Sequence, residues 1–515
     1  MKKNKNEERH KNVAPAIELK EISKSFGQIS ANKNINLKIM PGTIHGIIGE
    51  NGAGKSTLMS ILYGFHKADK GSIFIKGIET LIPDSQTAIK KGIGMVFQHF
   101  KLVQNFSVLE NIILGAEDGR LLKPSLKKAK NSLEKLSNEY ELKVEPYSLI
   151  EDLTVGLQQR VEILKALYRQ ADILILDEPT GVLTPSEADQ LFKILKRLRN
   201  EGKTIIFITH KLREIMNITD NVSVMRLGKM VSTLSTKETN PEKLAELMVG
   251  RKVLLRVKKS KFMPGSNLLK VKNLRISDEI GVERVKGINL SIRAGEILGI
   301  AGVAGNGQSE LLELLGGYRT GTGTIEINEK EYNLEKLSKR KTKRFEGIAH
   351  VPEDRQNFGL VMDFKASENI IFGYHKNKKY KSGIFMNNKI IDKDAFSKMK
   401  RFDVRPLDHK VMTKNFSGGN QQKIVVAREF EQNPDILLVG QPTRGVDIGA
   451  IEFIHKKIIS LRDEGKAILL ISVELDEIMS LSDRIIVMFD GKIMGEKDSS
   501  KTNENELGLL MAGIT

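Results

Sequence analysis

Eight residues, Gly49 to Ser56 in the run GENGAGKST, carry the most explicit chemistry in the chain. Gly49, Gly52 and Gly54 leave room for backbone N–H groups to wrap phosphate oxygens without Cβ clashes. Glu50, Asn51 and Ala53 complete the loop. Lys55 can reach the β- and γ-phosphates of a nucleotide, Ser56 can offer its hydroxyl to Mg2+, and Thr57 follows. The preceding TIHGIIG reads as a buried strand and KSTLMSILYGF has helical spacing, so the positive end of a helix would face the phosphates. A second group lies in ILILDE. Asp177 closes a short buried strand, where it would hold the magnesium shell, and the adjoining Glu178 would polarise an attacking water. Alone, the first run could be a chance glycine turn and the second an acidic helix cap. Their order and flanks favour phosphoryl chemistry.

These positions recur. GTIHGIIGENGAGKSTLMSILYG returns as GEILGIAGVAGNGQSELLELLGG, GIGMVFQHF as GIAHVPEDR, and QADILILDEPTGVLT as NPDILLVGQPTRGVD. Lys55 pairs with Gln308, 253 positions on, whereas Thr154, Glu178 and His210 pair with Ser417, Gln441 and Val473, each 263 positions on. A constant late offset implies one duplication whose second copy gained about ten residues in its middle. The first copy runs over residues 16–250 and the second over 268–515. Between them lies a basic linker, 251–267, containing Pro264-Gly265, and residues 1–15 read as a polar basic tail.

Short buried strands (DILILDE, TIIFITH) alternate with amphipathic helices (QQRVEILKALYRQ, EADQLFKILKRLRNEG), which implies an α/β fold with a mainly parallel sheet covered on both faces. The 515 residues suit two or three domains. No apolar run reaches about 18 residues, and MKKNKNEERHK lacks the apolar core of a signal peptide, so a cytoplasmic location is expected. The absence of cysteine excludes disulfides and thiolate metal sites. The net charge of +18 comes from lysines scattered among glutamates, with no Trp, which fits solvated faces better than a nucleic-acid surface.

Gln98 in MVFQHF, the segment LTVGLQQRVEILKAL and His210 in IIFITH complete a set similar to that of ATP-binding cassette (ABC) ATPases, across almost the whole chain and in both copies. The resemblance implies two tandem phosphate-loop NTPase domains, each with a mainly parallel core, an antiparallel β part and a helical subdomain. It implies ATP and Mg2+ as ligands. By the family's logic Gln98 touches Mg2+ and the water and senses a membrane partner, His210 contacts the γ-phosphate, and Phe26 in KSFG stacks on adenine. His45, His66, His99 and His350 take ordinary structural roles.

In that family two cassettes clamp head to tail, so each site joins the loop of one copy to the signature segment of the other. The second loop has Gln308 for the lysine and retains Ser309. Its acidic positions are Gly440 and Gln441, its histidine position is Val473, its sensor glutamine is Glu353, and Glu279 falls near the adenine position. The signature that would complete it reads Leu153-Thr154-Val155-Gly156-Leu157, against the family's LSGGQ, followed by Thr184 at the later carboxylate position. Every part of this second site is expected to be damaged. The first site has its whole set, and its partner signature, Phe416-Ser417-Gly418-Gly419-Asn420 with Asp447 beyond it, is near consensus. Ser417, Gly418, Gly419 and Asn420 are therefore expected at the ATP. One active and one degenerate site follows.

Fused cassettes of this kind resemble the ATPase subunits of bacterial importers for sugars and nucleosides. GVAGNGQSEL, VGLQQRVEILKAL and QPTRGVDIGAIEFIH resemble the nucleoside branch, whose receptors are basic membrane lipoproteins. Two integral-membrane permease subunits or domains and a peripheral position on the membrane's cytoplasmic face are implied. The segment HFKLVQNFSVLENIILG would receive a permease helix. A ribosome-associated twin-cassette ATPase is the alternative class, disfavoured by the short linker and the unequal sites.

Overall fold

A computed structural model describes residues 14–27, 29–97, 100–116, 122–181, 183, 185–254, 257, 259–261, 263–278, 280–303, 305–337, 345–382, 385–446 and 448–514, with backbone alone at 122–125, 185–186 and 337. Gln98, His99, Thr184, Glu279 and Asp447 lie outside the described residues. The chain divides into two compact units, one ending at Val253 and the other starting at Leu254.

In the first unit the strands are β1 (Ile17–Phe26), β2 (Ile29–Ile39), β3 (Ile44–Gly49), β4 (Lys70–Ile75), β5 (Ile78–Glu79), β6 (Ile93–Val96), β7 (Ile173–Asp177), β8 (Thr204–Ile208), β9 (Asn221–Arg226) and β10 (Lys229–Ser235). They build a six-stranded sheet, β10-β9-β3-β8-β7-β6, and a four-stranded one, β2-β1-β4-β5. The larger is parallel apart from β10, and the smaller is antiparallel. Strands β3, β7 and β8 are buried at every position, as β-branched-rich strands are when both faces are covered. The helices Val108–Ile113, Leu122–Glu139 and Val155–Tyr168 pack on one another beside this core.

The second unit repeats the plan with β11 (Asn267–Ser277), β12 (Glu283–Arg293), β13 (Ile297–Ala301), β14 (Thr322–Ile327), β15 (Lys330–Asn333), β16 (Ile348–Val351), β17 (Lys381–Ser382), β18 (Phe385–Met386), β19 (Ile436–Gly440), β20 (Ala467–Ile471), β21 (Arg484–Phe489) and β22 (Lys492–Asp498). The orders are β16-β19-β20-β13-β21-β22 and β12-β11-β14-β15. The hairpin β17–β18 has no counterpart among the described residues of the first unit. It sits between Glu353 and Ser417, where most of the extra length falls. No helix among the described residues is long and apolar enough to cross a membrane.

In each unit an aspartate anchors the strand that leads into the phosphate loop. Asp220 accepts the Ile44 N–H at 2.9 Å and an Arg199 guanidinium N–H at 3.0 Å. Asp483 accepts the Ile297 N–H and Arg462 Nε–H, both at 3.0 Å. The second pair is buried, and Arg462 also holds the Ser260 carbonyl at 3.1 Å, which fastens that stretch of the linker to the second unit. Removing one partner of a buried ion pair strands the other charge, whereas half-exposed pairs contribute little. Arg462→Ala should therefore cost about 3 kcal/mol in urea unfolding, the low end of the usual cost for breaking such a pair. The reason is that Lys259 remains 3.5 Å from Asp483. Arg199→Ala should cost about 1 kcal/mol or less, because its pair is open to water.

Candidate functional site

The first phosphate loop closes around its own lysine. Lys55 opens the helix Lys55–Leu62 and is 6 % exposed, with Nζ donating to the Gly49 carbonyl at 2.7 Å and the Glu50 carbonyl at 3.1 Å. Gly54 caps that helix at φ 97°, and a Cβ there would lie 2.3 Å from the Ala31 carbonyl, so only glycine fits. Asn32, wholly buried on β2, donates to the Gly54 carbonyl at 3.1 Å. That bond ties the β1–β2 hairpin to the loop. The same hairpin presents Phe26, 44 % exposed at the end of β1, in a T-shaped pair with the exposed His66, ring centroids 5.2 Å apart. Lys24 Nζ lies over the Phe26 ring, 5.5 Å from its centroid.

Asp177 ends β7 beside Ser56, whose hydroxyl bonds it. Burial pushes the Asp177 carboxyl up, and the neighbouring Glu178 adds to this, against the Ser56 hydrogen bond and the Lys55 charge. Serine and carboxylate together supply the oxygen chemistry that a hard divalent cation takes. Glu178 behaves oppositely. Burial would raise it, but the hydrogen bond and charge of His210, with Lys55 and Lys211, hold it below the usual carboxylate range. His210 Nδ1 lies 2.9 Å from Glu178 Oε1. Lys55 is pulled below its ordinary value by burial, against the raising effect of Glu178, Asp177 and Glu50. A carboxylate kept ionised beside a phosphate loop can accept a proton from water.

Sequence reasoning missed what holds this pair. Buried Glu214 bonds the hydroxyls of Thr180 and Thr209, one in the turn after β7 and one in the turn after β8, and Thr209 in turn accepts the Lys211 N–H at 3.0 Å. The spacing of Thr180, Thr209 and Glu214 gives no signal of its own. Glu178 also sits in the left-handed backbone region, φ 46°. Its counterpart Gln441 keeps the same strain at φ 48°, although its side chain has no base to offer. His45 and His350 are buried as structural residues, and burial lowers the His45 pKa to about 4.

In the second unit Gln308 copies the lysine's place. It is 6 % exposed and its amide donates to the Val303 carbonyl at 3.3 Å. Gly440 ends β19, Gln441 Oε1 accepts the Val473 N–H at 3.2 Å, and Val473 is exposed. At the sensor position the Glu353 carboxylate accepts a hydrogen bond from the Ser309 hydroxyl.

The signature segments differ in charge. Both start a helix, Val155–Tyr168 after Thr154 and Gly418–Phe430 after Ser417. A Cβ on Gly156 would come within 2.5 Å of Glu187 Oε1, whereas a Cβ on Gly418 would come within 2.5 Å of an Arg355 guanidinium nitrogen. An acidic side chain already answers the positive helix end in the first unit, and a cation reinforces it in the second. Asn420 donates to Ser417 Oγ at 2.8 Å and accepts the Arg405 N–H at 2.8 Å, which fixes the serine.

Two sheets of this order, each with a phosphate loop between its third strand and the following helix, define a pair of nucleotide-binding cassettes. The family model described as ABC transporter matches residues 32–181 and 285–444. The chain belongs to that family and carries its domain twice. It is 49 % identical over 500 residues to the guanosine import ATP-binding protein NupO of Bacillus subtilis, covering 97 % of this chain and 98 % of that one. It is 48 % identical to the nucleoside import ATP-binding protein NupA of Lactococcus lactis, covering 96 % and 98 %. The ribose import ATP-binding protein RbsA of Clostridium tetani is 36 % identical, covering 96 % of each chain.

The Glu178–His210 pair makes a pH prediction. His210→Ala removes what holds the carboxyl below its usual range, so Glu178 takes up its proton at higher pH. Besides a rate loss of about 10²–10⁴-fold, the acid limb of the ATPase pH profile should shift upward in the variant. An unmoved limb would separate Glu178 from that ionisation.

Proposed function

We propose that this chain is the ATP-hydrolysing subunit of an importer for nucleosides, peripheral on the cytoplasmic face of the membrane and docked on two permease subunits or domains served by a substrate-binding lipoprotein. The observation that carries the nucleoside reading is full-length similarity near one-half identity to two nucleoside or guanosine import ATP-binding proteins, against about one-third to ribose import proteins.

In the working site Lys55 and the loop N–H groups hold the phosphates, Ser56 and Asp177 hold Mg2+ with Gln98, and Phe26 stacks on adenine. Glu178 draws the proton from the attacking water and His210 orients it and meets the γ-phosphate. Ser417, Gly418, Gly419 and Asn420 close the site in trans, as the family resemblance implies. The electropositive setting of Gly418 beside Arg355 supports that assignment, and the Glu187 carboxylate beside Gly156 supports an inactive partner for the other loop. The segment 99–115, with Gln98, is the proposed permease contact.

Two experiments test this. In cells lacking the chain, uptake of labelled guanosine and other nucleosides should fall to background while ribose and galactose uptake persists. The reverse pattern would overturn the substrate choice. In the purified assembly Glu178→Gln should lower ATP turnover by at least about 10²-fold, as loss of a general base does, while Gln441→Ala keeps the same order of rate. Equal losses would refute unequal sites.

A further inference from the structure

The hairpin β17–β18, which the described part of the first unit lacks, lies in a run with a charge of its own. From Phe372 to Ile391 the chain carries five lysines and no aspartate or glutamate. The hairpin pairs Lys381 with Met386 and Ser382 with Phe385. All four residues are exposed, Phe385 by 72 % and Met386 by 40 %. Ile390, in the first turn of the helix Asn388–Arg401, is exposed as well. A lone exposed apolar side chain is ordinary on a soluble protein. Three of them between Phe385 and Ile390, within a lysine run that no carboxylate interrupts, call for a partner.

The backbone that presents them is held. A two-stranded hairpin is marginal by itself and needs an anchor. Tyr380, buried just before β17, provides one. Its carbonyl accepts the Asn387 N–H at 2.9 Å, and its hydroxyl donates to Asp394 at 2.8 Å. Asn387 then caps the next helix by accepting the Ile390 N–H at 3.2 Å. Asp394 also lies 3.0 Å from buried Lys398 and 2.5 Å from Lys379. Of the five lysines in the run, Lys379 alone has an ion-pair partner among the described residues. Lys376, Lys378, Lys381 and Lys389 stand exposed. The hairpin follows the helix Ala366–Ile371, and ASENIIFG there matches VLENIILG in the segment 99–115. It therefore continues from the second-unit counterpart of the proposed permease contact.

We propose that this hairpin is a direct lipid contact, in which Phe385 and Met386 enter the interface of an anionic bilayer and Lys376, Lys378, Lys381 and Lys389 meet its phosphate groups. This goes beyond permease docking and rests on the reading that the chain lies on the membrane. Lysine stems can lie along an apolar layer while their ammonium groups reach the headgroups. Apolar insertion and charge attraction add, and stable attachment takes both. A protein partner would have to answer four separate cations with carboxylates at fixed places, and would need more apolar area than three side chains supply. A bilayer asks for neither, because its charged lipids diffuse to the cations and its apolar layer lies just beneath them.

The chain contains no Trp, so Phe385→Trp places the sole indole on this strand. The full-length variant is titrated with vesicles of phosphatidylcholine, or of phosphatidylcholine with phosphatidylglycerol added. Its emission should move to the blue, and be quenched by brominated acyl chains, with the anionic vesicles alone. Replacing Lys378, Lys381 and Lys389 together by Gln in the same variant should weaken that titration by about 10²-fold, since each lysine near an anionic surface contributes roughly a factor of five. Phe385→Ser with Met386→Ser should lower sedimentation with anionic vesicles by at least about 10-fold while ATP turnover is unchanged, which also shows that the variant folds. Emission that stays put with anionic vesicles, or moves as far with neutral ones, would overturn the proposal. A shift with tRNA and none with vesicles would overturn it too, by marking a nucleic-acid surface. If the Phe385→Trp chain sediments with membranes holding its permease but shows no shift with anionic vesicles, this inference alone falls. A chain left in the supernatant there would remove the peripheral reading as well.

Discussion

A primary ammonium withdrawn from water is the constraint around which the first unit is organised. Burying a charge is costly unless it is hydrogen-bonded and balanced. Lys55 meets that demand with two loop carbonyls and with Asp177 and Glu178 nearby. The strands must therefore deliver two carboxylates and a phosphate loop to one edge of the sheet. The parallel order β3-β8-β7 does so, because the carboxyl ends of all three strands lie on the same side. A change at one member disturbs the balance of the rest. In the second unit the lysine and both strand-end carboxylates are absent together, and Gln308, Gly440 and Gln441 stand in their places.

The scaffold outlasted the chemistry. The left-handed turn at Glu178 persists at Gln441, and each turn's N–H still bonds the neighbouring strand, to Ile208 at 2.9 Å and to Ile471 at 2.8 Å. Backbone strain of this kind stays where surrounding structure over-determines it. What differs are the side chains at the lysine, strand-end and histidine positions. The setting of the signature helices diverged in step, with a carboxylate at Gly156 and a guanidinium at Gly418. The signature helices thus differ in the charge beside them, and the phosphate loops differ in residue type.

Much of this was legible in the sequence because it rests on local rules. The strands around Ile44, Ile173 and Thr204 announce themselves by short isoleucine-rich runs, and the loop by glycines that its turns require. The duplication fixed the correspondence of Lys55 with Gln308 and of Asp177 with Gly440. The rest depended on contacts distant in the chain. The Glu353 carboxylate meets the Ser309 hydroxyl 44 residues away. Glu214 reaches back 34 residues to Thr180, and Arg462 reaches 202 residues to Ser260. Neither periodicity nor motif spacing encodes such meetings. The ABC resemblance, by contrast, was carried by contiguous runs, and the family match covers those around Lys55, Gln98 and Glu178 and their counterparts in the second copy.

The central claim is that hydrolysis belongs to the loop bearing Lys55 and to no other. Trapping with Mg2+, a photoreactive ATP analogue and orthovanadate places a label where a post-hydrolysis state forms. Cleavage of the chain between the units and recovery of the peptides then assigns it. The account predicts vanadate-dependent label in peptides from residues 16–250 alone. Vanadate-dependent label shared equally with peptides from residues 268–515 would contradict it.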